Sequence, residues 1–173
     1  MSNQTSETAR TNPTALTKTK QPNSSHCFAC GMENPIGLKL QFFQTAPDEV
    51  AAEITPDEKY QGFPGILHGG VTASILDEAV CRAHMGVDPL NTNFMYTAEL
   101  SVKYKKKVPV GQALRVVGKQ GRRMRWTAES TAVLYDADGT VLAEATATLV
   151  DLPEKMSAEQ IHELGWKVYT DTA

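Results

Sequence analysis

The stretch 65-GILHGGVTASILD-77 joins a glycine-rich turn directly to the first turns of a helix. The paired glycines at the helix start, Gly69 and Gly70, have backbone N–H groups that no side chain shields. The partial positive charge of such a terminus favours an oxygen atom that gains negative charge. Asp77 follows about two helical turns later. The stretch therefore predicts a site where peptide amides polarise a carbonyl group and a carboxylate acts on it.

The same stretch opens the one long helix that the pattern predicts in the centre of the chain, from Gly69 to about Met85. A rotation of about 100° per residue places six small or aliphatic side chains on one broad arc, with Asp77 at its edge: Ala73, Ile75, Leu76, Ala79, Val80 and Ala83. Gly86 is predicted to end the helix. Because the arc is rich in small residues, a sheet could wrap closely around it.

Alternating apolar and polar residues predict strands on both sides of this helix. Two strands precede it, at 36–42 and 50–54. Four strands follow it, separated by turns at 109–111, 121–123 and 136–139; these strands lie at about 97–105, 114–117, 126–135 and 140–150. This order predicts an α+β fold in which a curved six-stranded antiparallel sheet wraps around one long central helix.

The two ends of the chain are predicted to lie outside this core. Residues 1–25 are polar and carry few apolar side chains. We predict a disordered tail there, because such a segment cannot offset its ordering entropy by burial. The predicted domain spans residues 26–152. A C-terminal extension over 153–173 is predicted to hold a short helix, opened by a capping box of Ser157 and Gln160.

The composition fits one globular domain of 173 residues, 41% hydrophobic and 21% charged. A net charge of −3 and a pI of about 5.8 argue against nucleic acid or an anionic membrane as a partner. No apolar run approaches the roughly 20 residues that span a bilayer, and no secretory signal is found at the N-terminus. Three cysteines do not suggest a disulfide framework. We therefore expect a cytoplasmic protein.

Three motifs, taken in order along the chain, resemble one family. They are His26-Cys27-Phe28-Ala29-Cys30-Gly31 with Asn34-Pro35-Ile36-Gly37-Leu38, then His68-Gly69-Gly70 followed by Asp77, then the segment 96–104 followed by Pro109 and Gly111. Over residues 26–151 the chain resembles the hotdog-fold acyl-CoA thioesterases, in the branch close to the phenylacetate-pathway thioesterases and the human thioesterase-superfamily proteins. The resemblance implies a hotdog fold that acts as a homodimer or a dimer of dimers.

The resemblance also implies a reaction, the hydrolysis of an acyl-CoA thioester to the free acid and CoA. The N–H of Gly69, with that of Gly70, would polarise the thioester carbonyl. Asp77 would be either the nucleophile or the general base that activates water. His68 would shape the loop or contact the carbonyl side, and Thr97 of the partner subunit would orient the water or the carboxylate. No metal or redox cofactor is implied, and coenzyme A enters only as part of the substrate.

Two other classes of protein remain open on this fold. One is a non-catalytic acyl-CoA-binding protein, against which the presence of Asp77 argues. The other is a dehydratase or hydratase acting on enoyl or hydroxyacyl thioesters, whose paired Asp and His motif is not found here. The chemistry of Asp77 therefore favours hydrolysis.

Two further patterns have both a structural and a functional interpretation. Cys27 and Cys30 have the spacing of metal ligands. Because Cys81 stands alone on the helix and completes no second pair, we interpret the motif as a turn packed against the core. Seven basic residues are predicted on neighbouring strand ends, as a solvated surface or a landing site for CoA phosphates: Lys103, Lys105, Lys106, Lys107, Arg122, Arg123 and Arg125.

Overall fold

A computed structural model describes residues 18–170 of the chain. Its strands are β1 (Thr19–Lys20), β2 (Phe43–Ala46), β3 (Glu49–Ile54), β4 (Gln61–Phe63), β5 (Ile66–Leu67), β6 (Met95–Tyr104), β7 (Leu114–Arg123), β8 (Thr127–Asp136) and β9 (Val141–Asp151). Its helices are α1 (Gly69–Met85) and α2 (Ala158–Glu163), with short 3₁₀ turns at Glu58–Tyr60 and Pro89–Asn91. Within this described part, no helix is both long and apolar enough to cross a membrane.

Seven strands form one antiparallel sheet in the order β1-β2-β3-β7-β8-β9-β6, and β4 and β5 form a separate small hairpin. Helix α1 contacts β3, β6, β7, β8 and β9, so the sheet surrounds one side of it. The α+β architecture of a single long helix against an antiparallel sheet is confirmed. The sheet has seven strands rather than the predicted six because β1 adds a short strand outside β2.

The predicted apolar arc of α1 faces the sheet. Ile75, Leu76, Ala79 and Val80 are completely buried, and burial of such side chains contributes roughly 1.5–3 kcal/mol for each large one. The helix ends as predicted at Gly86, which has a φ of 78°, a conformation that glycine adopts without steric cost. The helix and its orientation were therefore predicted correctly.

The segment just before residue 26 is ordered, contrary to the predicted tail. Gln21 and Asn23 are buried, and the Asn23 side-chain amide donates to the backbone carbonyls of Cys30 (2.6 Å) and Leu40 (2.7 Å). Asn23 also pairs with Lys167 through two backbone hydrogen bonds. Polar residues are held here by hydrogen bonds from their side-chain amides to backbone carbonyls rather than by apolar burial. Residues 1–17 lie outside the described part, so disorder there stays a prediction.

Residues 36–42 do not form the predicted strand, but the side chains predicted to be buried in this segment are buried. Leu38, Leu40 and Phe42 are buried, as the alternation indicates. Their segment is irregular because Lys39 has a φ of 55°. The N–H groups of Leu38 and Leu40 donate to the carbonyls of Phe28 and Ala29 instead of a neighbouring strand.

The predicted turn at 121–123 is also wrong, since β7 continues through Arg123. The pairing of β7 with β8 shifts register between Gln120 and Arg123. The strand β7 has more residues than β8 there, and it continues through this irregularity without a turn. The hairpin turn comes one residue later, where the N–H of Met124 donates to the carbonyl of Thr127 (2.8 Å). At the C-terminal side, the short helix α2 and its Ser157–Gln160 capping box are confirmed.

Gly118 gives a test of how closely α1 packs on the sheet. A Cβ atom added to Gly118 on β7 would collide with the backbone carbonyl of Ala79 on α1. We expect Gly118→Ala to lower the free energy of unfolding by about 1–3 kcal/mol, because the helix must move away from the strand. Gly69→Ala is the matched control, since its Cβ would meet only Tyr104, at 3.6 Å. Urea unfolding of both variants measures the difference; equal stability would contradict the close packing.

Candidate active site

The start of α1 is shaped by His68. The N–H of Gly70 donates to Nδ1 of His68 (3.0 Å), and the N–H of Thr72 donates to the His68 carbonyl (3.0 Å). His68 therefore caps the helix and occupies the amide of Gly70. The N–H of Gly69 has no acceptor among residues 18–170 and lies in an exposed part of the chain. Of the two amides predicted as oxyanion donors, Gly69 has a free N–H.

Three neighbours fix this helix start. The N–H of His68 donates to the carbonyl of Tyr60 (2.9 Å). Gly62 lets His68 approach, because a Cβ there would lie 3.2 Å from the Cα of His68. The hydroxyl of Tyr104, at the end of β6, donates to the carbonyl of Gly69 (2.8 Å). Tyr104 was not predicted as a site residue, although it closes the third family-like motif.

Asp77 is half-buried on α1 and is paired with a threonine. The hydroxyl of Thr97 on β6 donates to Oδ1 of Asp77 (2.7 Å), and the thiol of Cys81 lies 3.4 Å from that hydroxyl. Oδ2 of Asp77 has no hydrogen-bond partner in the described residues. One oxygen of the carboxylate is thus held in place while the other stays available for chemistry.

The structure corrects the predicted origin of Thr97. We expected the Thr97 that meets Asp77 to come from a partner subunit, but both residues belong to the same chain. The reason is that β6 follows α1 after a short connection and runs back along it. A register shift between Thr97 and Glu99 marks this part of β6, and a β-bulge of this kind re-aims side chains.

The neighbouring acid, Glu78, lies on a different side of the helix. Its Oε1 accepts a hydrogen bond from Nε of the completely buried Arg82 (2.7 Å). The rotation of about 100° between successive helical residues separates it from Asp77, as predicted. Asp77 is therefore the acid that faces Thr97.

Gly69 and Asp77 lie too far apart to act on one carbonyl within one chain. They are eight residues apart on one helix, which corresponds to about 12 Å at 1.5 Å per residue. A thioester carbonyl is much smaller than this distance. The sequence interpretation that both groups of one chain meet at the same carbonyl is therefore wrong.

The basic residues divide into two groups at opposite ends of β6. Its pairing with β9 runs from Met95 opposite Asp151 to Tyr104 opposite Ala143, about 30 Å at 3.3 Å per residue. Arg123 bonds Asp151 at 2.6 Å, at the end remote from Tyr104. The predicted single cluster is therefore wrong. The lysines lie beside Tyr104 and the start of α1: Lys103, Lys105, Lys106 and Lys107.

Comparisons with known proteins match the chain to thioesterases. Residues 64–143 match the thioesterase superfamily. The chain is 26% identical over 148 residues to acyl-coenzyme A thioesterase THEM4 from Bos taurus, covering 82% of this chain and 58% of that protein. The chain thus spans less than three fifths of the length of this curated relative.

Solved structures give the same fold. The thioesterase superfamily protein RHA08564 has a TM-score of 0.66 at 27% identity, over 73% of this chain and 60% of that chain. The Escherichia coli PaaI protein from the phenylacetic acid degradation operon has a TM-score of 0.61 at 11% identity, over 69% and 84%. The fold is the hotdog fold. The resemblance to hotdog-fold thioesterases that the sequence predicts is confirmed, with the thioesterase-superfamily match covering residues 64–143.

Proposed function

We propose that this protein is an acyl-CoA thioesterase whose active sites form between two copies of the chain. One observation carries the proposal: α1 presents an unengaged Gly69 N–H at its start and the Asp77–Thr97 pair about 12 Å further along. In a dimer, the amide of one copy completes the site around the carboxylate of the other. The name of the THEM4 relative, an acyl-coenzyme A thioesterase, supports the substrate class.

The reaction proposed for this site is the hydrolysis of the thioester by water. As a general base, Asp77 takes a proton from water while the water oxygen bonds to the thioester carbonyl carbon. The carbonyl oxygen gains negative charge, which the Gly69 N–H of the other copy stabilises. The C–S bond then breaks, and the CoA thiolate leaves with the proton from Asp77. If Asp77 instead attacks directly, water hydrolyses the resulting anhydride in a second step.

The surface around the candidate site supports pairing of two copies. Strand β6 is an edge of the seven-stranded sheet, and an unpaired edge is a ready surface for another strand. Tyr96 and Tyr104 on β6 and Phe63 on β4 are exposed large side chains close to the site elements. Covering them removes apolar surface from water. We propose a homodimer, alone or as half of a dimer of dimers.

The lysines that follow β6 are proposed to receive the phosphates of CoA. Lys105 is engaged by Glu144 at 2.9 Å, whereas Lys106 and Lys107 are exposed and make no ion pair with another described residue. Positive side chains next to Tyr104 place this charge at the end of the sheet where Gly69 lies. The arginines at the other end of β6 are too distant to share in this role.

The competing functions give different contacts around Asp77. A dehydratase or hydratase would need a histidine beside the acid, but among the described residues the hydrogen-bond partner of Asp77 is Thr97. His84 instead contacts the carbonyl of Glu129 (3.2 Å), and its burial lowers the pKa of the imidazole. A non-catalytic acyl-CoA-binding protein would bind the same ligands without releasing thiol.

A thiol-release assay across short, long and aromatic acyl-CoAs tests the proposal. We expect the wild-type chain to release free CoA from at least one class, because the Asp77–Thr97 pair can activate water. The protein contributes three cysteines of its own, so enzyme without substrate is the blank. Binding of acyl-CoA measured by calorimetry, with no thiol release from any class, would instead identify a binding protein.

A further inference from the structure

A second cluster of reactive side chains lies on the other side of α1 from Asp77. The turn that holds Cys27 and Cys30 packs against Glu78. The two sulfur atoms and a carboxylate oxygen of Glu78 all lie within 4.8 Å of one another, and Sγ of Cys27 is 3.9 Å from Oε2 of Glu78. Cys30 and the Glu78 side chain are largely shielded from water, whereas Cys27 is half-buried. The thioesterase site uses none of the three.

The turn itself is built to present both sulfur atoms on one side. The N–H of Gly31 donates to the carbonyl of Cys27 (2.9 Å), and the N–H of Cys30 donates to Sγ of Cys27 (3.5 Å). A Cβ on Gly31 would collide with the backbone of Cys27, so the tight turn requires glycine there. The hydrogen bond from the Cys30 thiol, helped by backbone N–H donors, lowers the pKa of Cys27 to about 6.

Arg82 fixes the carboxylate that faces this turn. Its Nε donates to Oε1 of Glu78 (2.7 Å), and the Arg82 side chain is completely buried between the rings of Phe42 and Trp166. A ligand oxygen held by an outer partner is a recurring feature of metal sites. Because Oε1 is occupied by Arg82, Oε2 is the oxygen left to face Cys27.

We propose that Cys27, Cys30 and Glu78 bind one Zn²⁺ ion, with a water molecule as the fourth ligand. Two sulfur ligands and one oxygen in a tetrahedral arrangement favour zinc over magnesium or calcium. Zinc–ligand lengths of about 2.0–2.3 Å require ligand atoms about 3.5–3.8 Å apart, close to the 3.9 Å between Cys27 and Glu78. Small movements of the half-buried Cys27 would bring its sulfur atom to the distance from the other ligands that zinc requires.

Charge balance supports this metal. With both thiols protonated, Glu78 and Arg82 form a neutral pair. When Zn²⁺ binds, whichever thiols are still protonated release their protons, so the two thiolates and the carboxylate are neutralised by the zinc and Arg82 together. No unpaired charge is buried in either form. The ion would join the turn at 27–30 to α1 one residue after Asp77, and its presence does not depend on the proposed hydrolysis.

The third proposed ligand of the Cys-x-x-Cys motif lies far from it in the sequence. The expectation of no metal rested on the lack of a second cysteine pair, with Cys81 alone on the helix. The structure brings a carboxylate from 48 residues further along the chain to the motif. Sequence spacing cannot reveal such a third ligand, because its position depends on how the turn packs on α1.

Metal analysis of the full chain tests the proposal. We expect the protein, purified under reducing conditions with Zn²⁺ and then dialysed, to retain one zinc per chain by elemental mass spectrometry. Co²⁺ in its place should give a thiolate-to-metal absorption band. Cys27→Ser should weaken zinc binding by more than about 100-fold, beyond the usual effect of an outer partner. Cys81→Ser is the matched control and should bind as wild type does.

Two results would overturn the zinc site. One is zinc content in the wild type no higher than in Cys27→Ser, with both variants folded by circular dichroism. The other is a reduced protein that takes up no metal and, after mild oxidation, loses two hydrogens through a Cys27–Cys30 disulfide, which would identify a redox pair instead. Neither result depends on thiol release from acyl-CoA, so failure of this proposal is separate from failure of the proposed function.

Discussion

Replacing Asp77 by asparagine is expected to lower kcat for acyl-CoA hydrolysis by about 10²–10⁴-fold, with little change in KM. Asparagine has nearly the same shape, and its Oδ1 can still accept the hydrogen bond from Thr97. It can neither take a proton from water nor attack the thioester as an anion. The loss therefore falls on the chemical step, and thiol release at saturating substrate measures it.

A matched substitution separates chemistry from general damage. Asp138 is an exposed acid in the β8–β9 turn and takes no part in the hydrogen bond between Asp77 and Thr97. Asp138→Asn removes the same charge and should keep wild-type turnover. If Asp77→Asn hydrolyses acyl-CoA at a rate within about threefold of Asp138→Asn, well below the usual effect of a general base, Asp77 is not the catalytic carboxylate.

Helix α1 and its buried face could be predicted from the sequence because they depend only on residues within the helix itself. A run of small and aliphatic residues at helical spacing, with Gly86 at its end, determines both the helix and its buried face. The same geometry separates Asp77 from Glu78, whichever elements pack around them. The choice of Asp77 could therefore be made before the fold was known.

Two features could not be predicted from the sequence, because each depends on contacts between segments that are distant in the chain. The contact of Thr97 with Asp77 in one chain is set by the path of β6 beside α1. Order before residue 26 depends on Asn23 finding carbonyls at Cys30 and Leu40. Neither arrangement leaves a periodic signal, because each uses one side chain rather than a repeating pattern.

One error could have been avoided with the sequence alone. Asp77 lies eight positions after Gly69 on the helix, and a rise of 1.5 Å per residue already gives about 12 Å between them. Both residues can serve one reaction only when they come from different copies. The spacing of Gly69 and Asp77 therefore predicts a site shared between two copies of the chain.

Gly69→Pro is expected to lower kcat/KM by about 10²–10³-fold, because proline lacks the N–H that would stabilise the oxyanion. Proline is tolerated at the first position of a helix. The preceding residue, His68, already has φ −58° and ψ 135°, which suits a residue before proline. Gly69→Ala keeps the N–H and is the control, with near wild-type activity expected in the thiol-release assay.

Mixing the two inactive variants determines which copies share a site. In a heterodimer of Gly69→Pro and Asp77→Asn, one site combines the intact glycine of one chain with the intact aspartate of the other, and the second site holds both substitutions. Random pairing makes about half of the dimers mixed, so about a quarter of the wild-type activity should return.

If each chain completed its own site, mixing would restore nothing. Co-refolding equal amounts and assaying thiol release distinguishes the two, and absence of recovery despite proven heterodimers would refute the shared site.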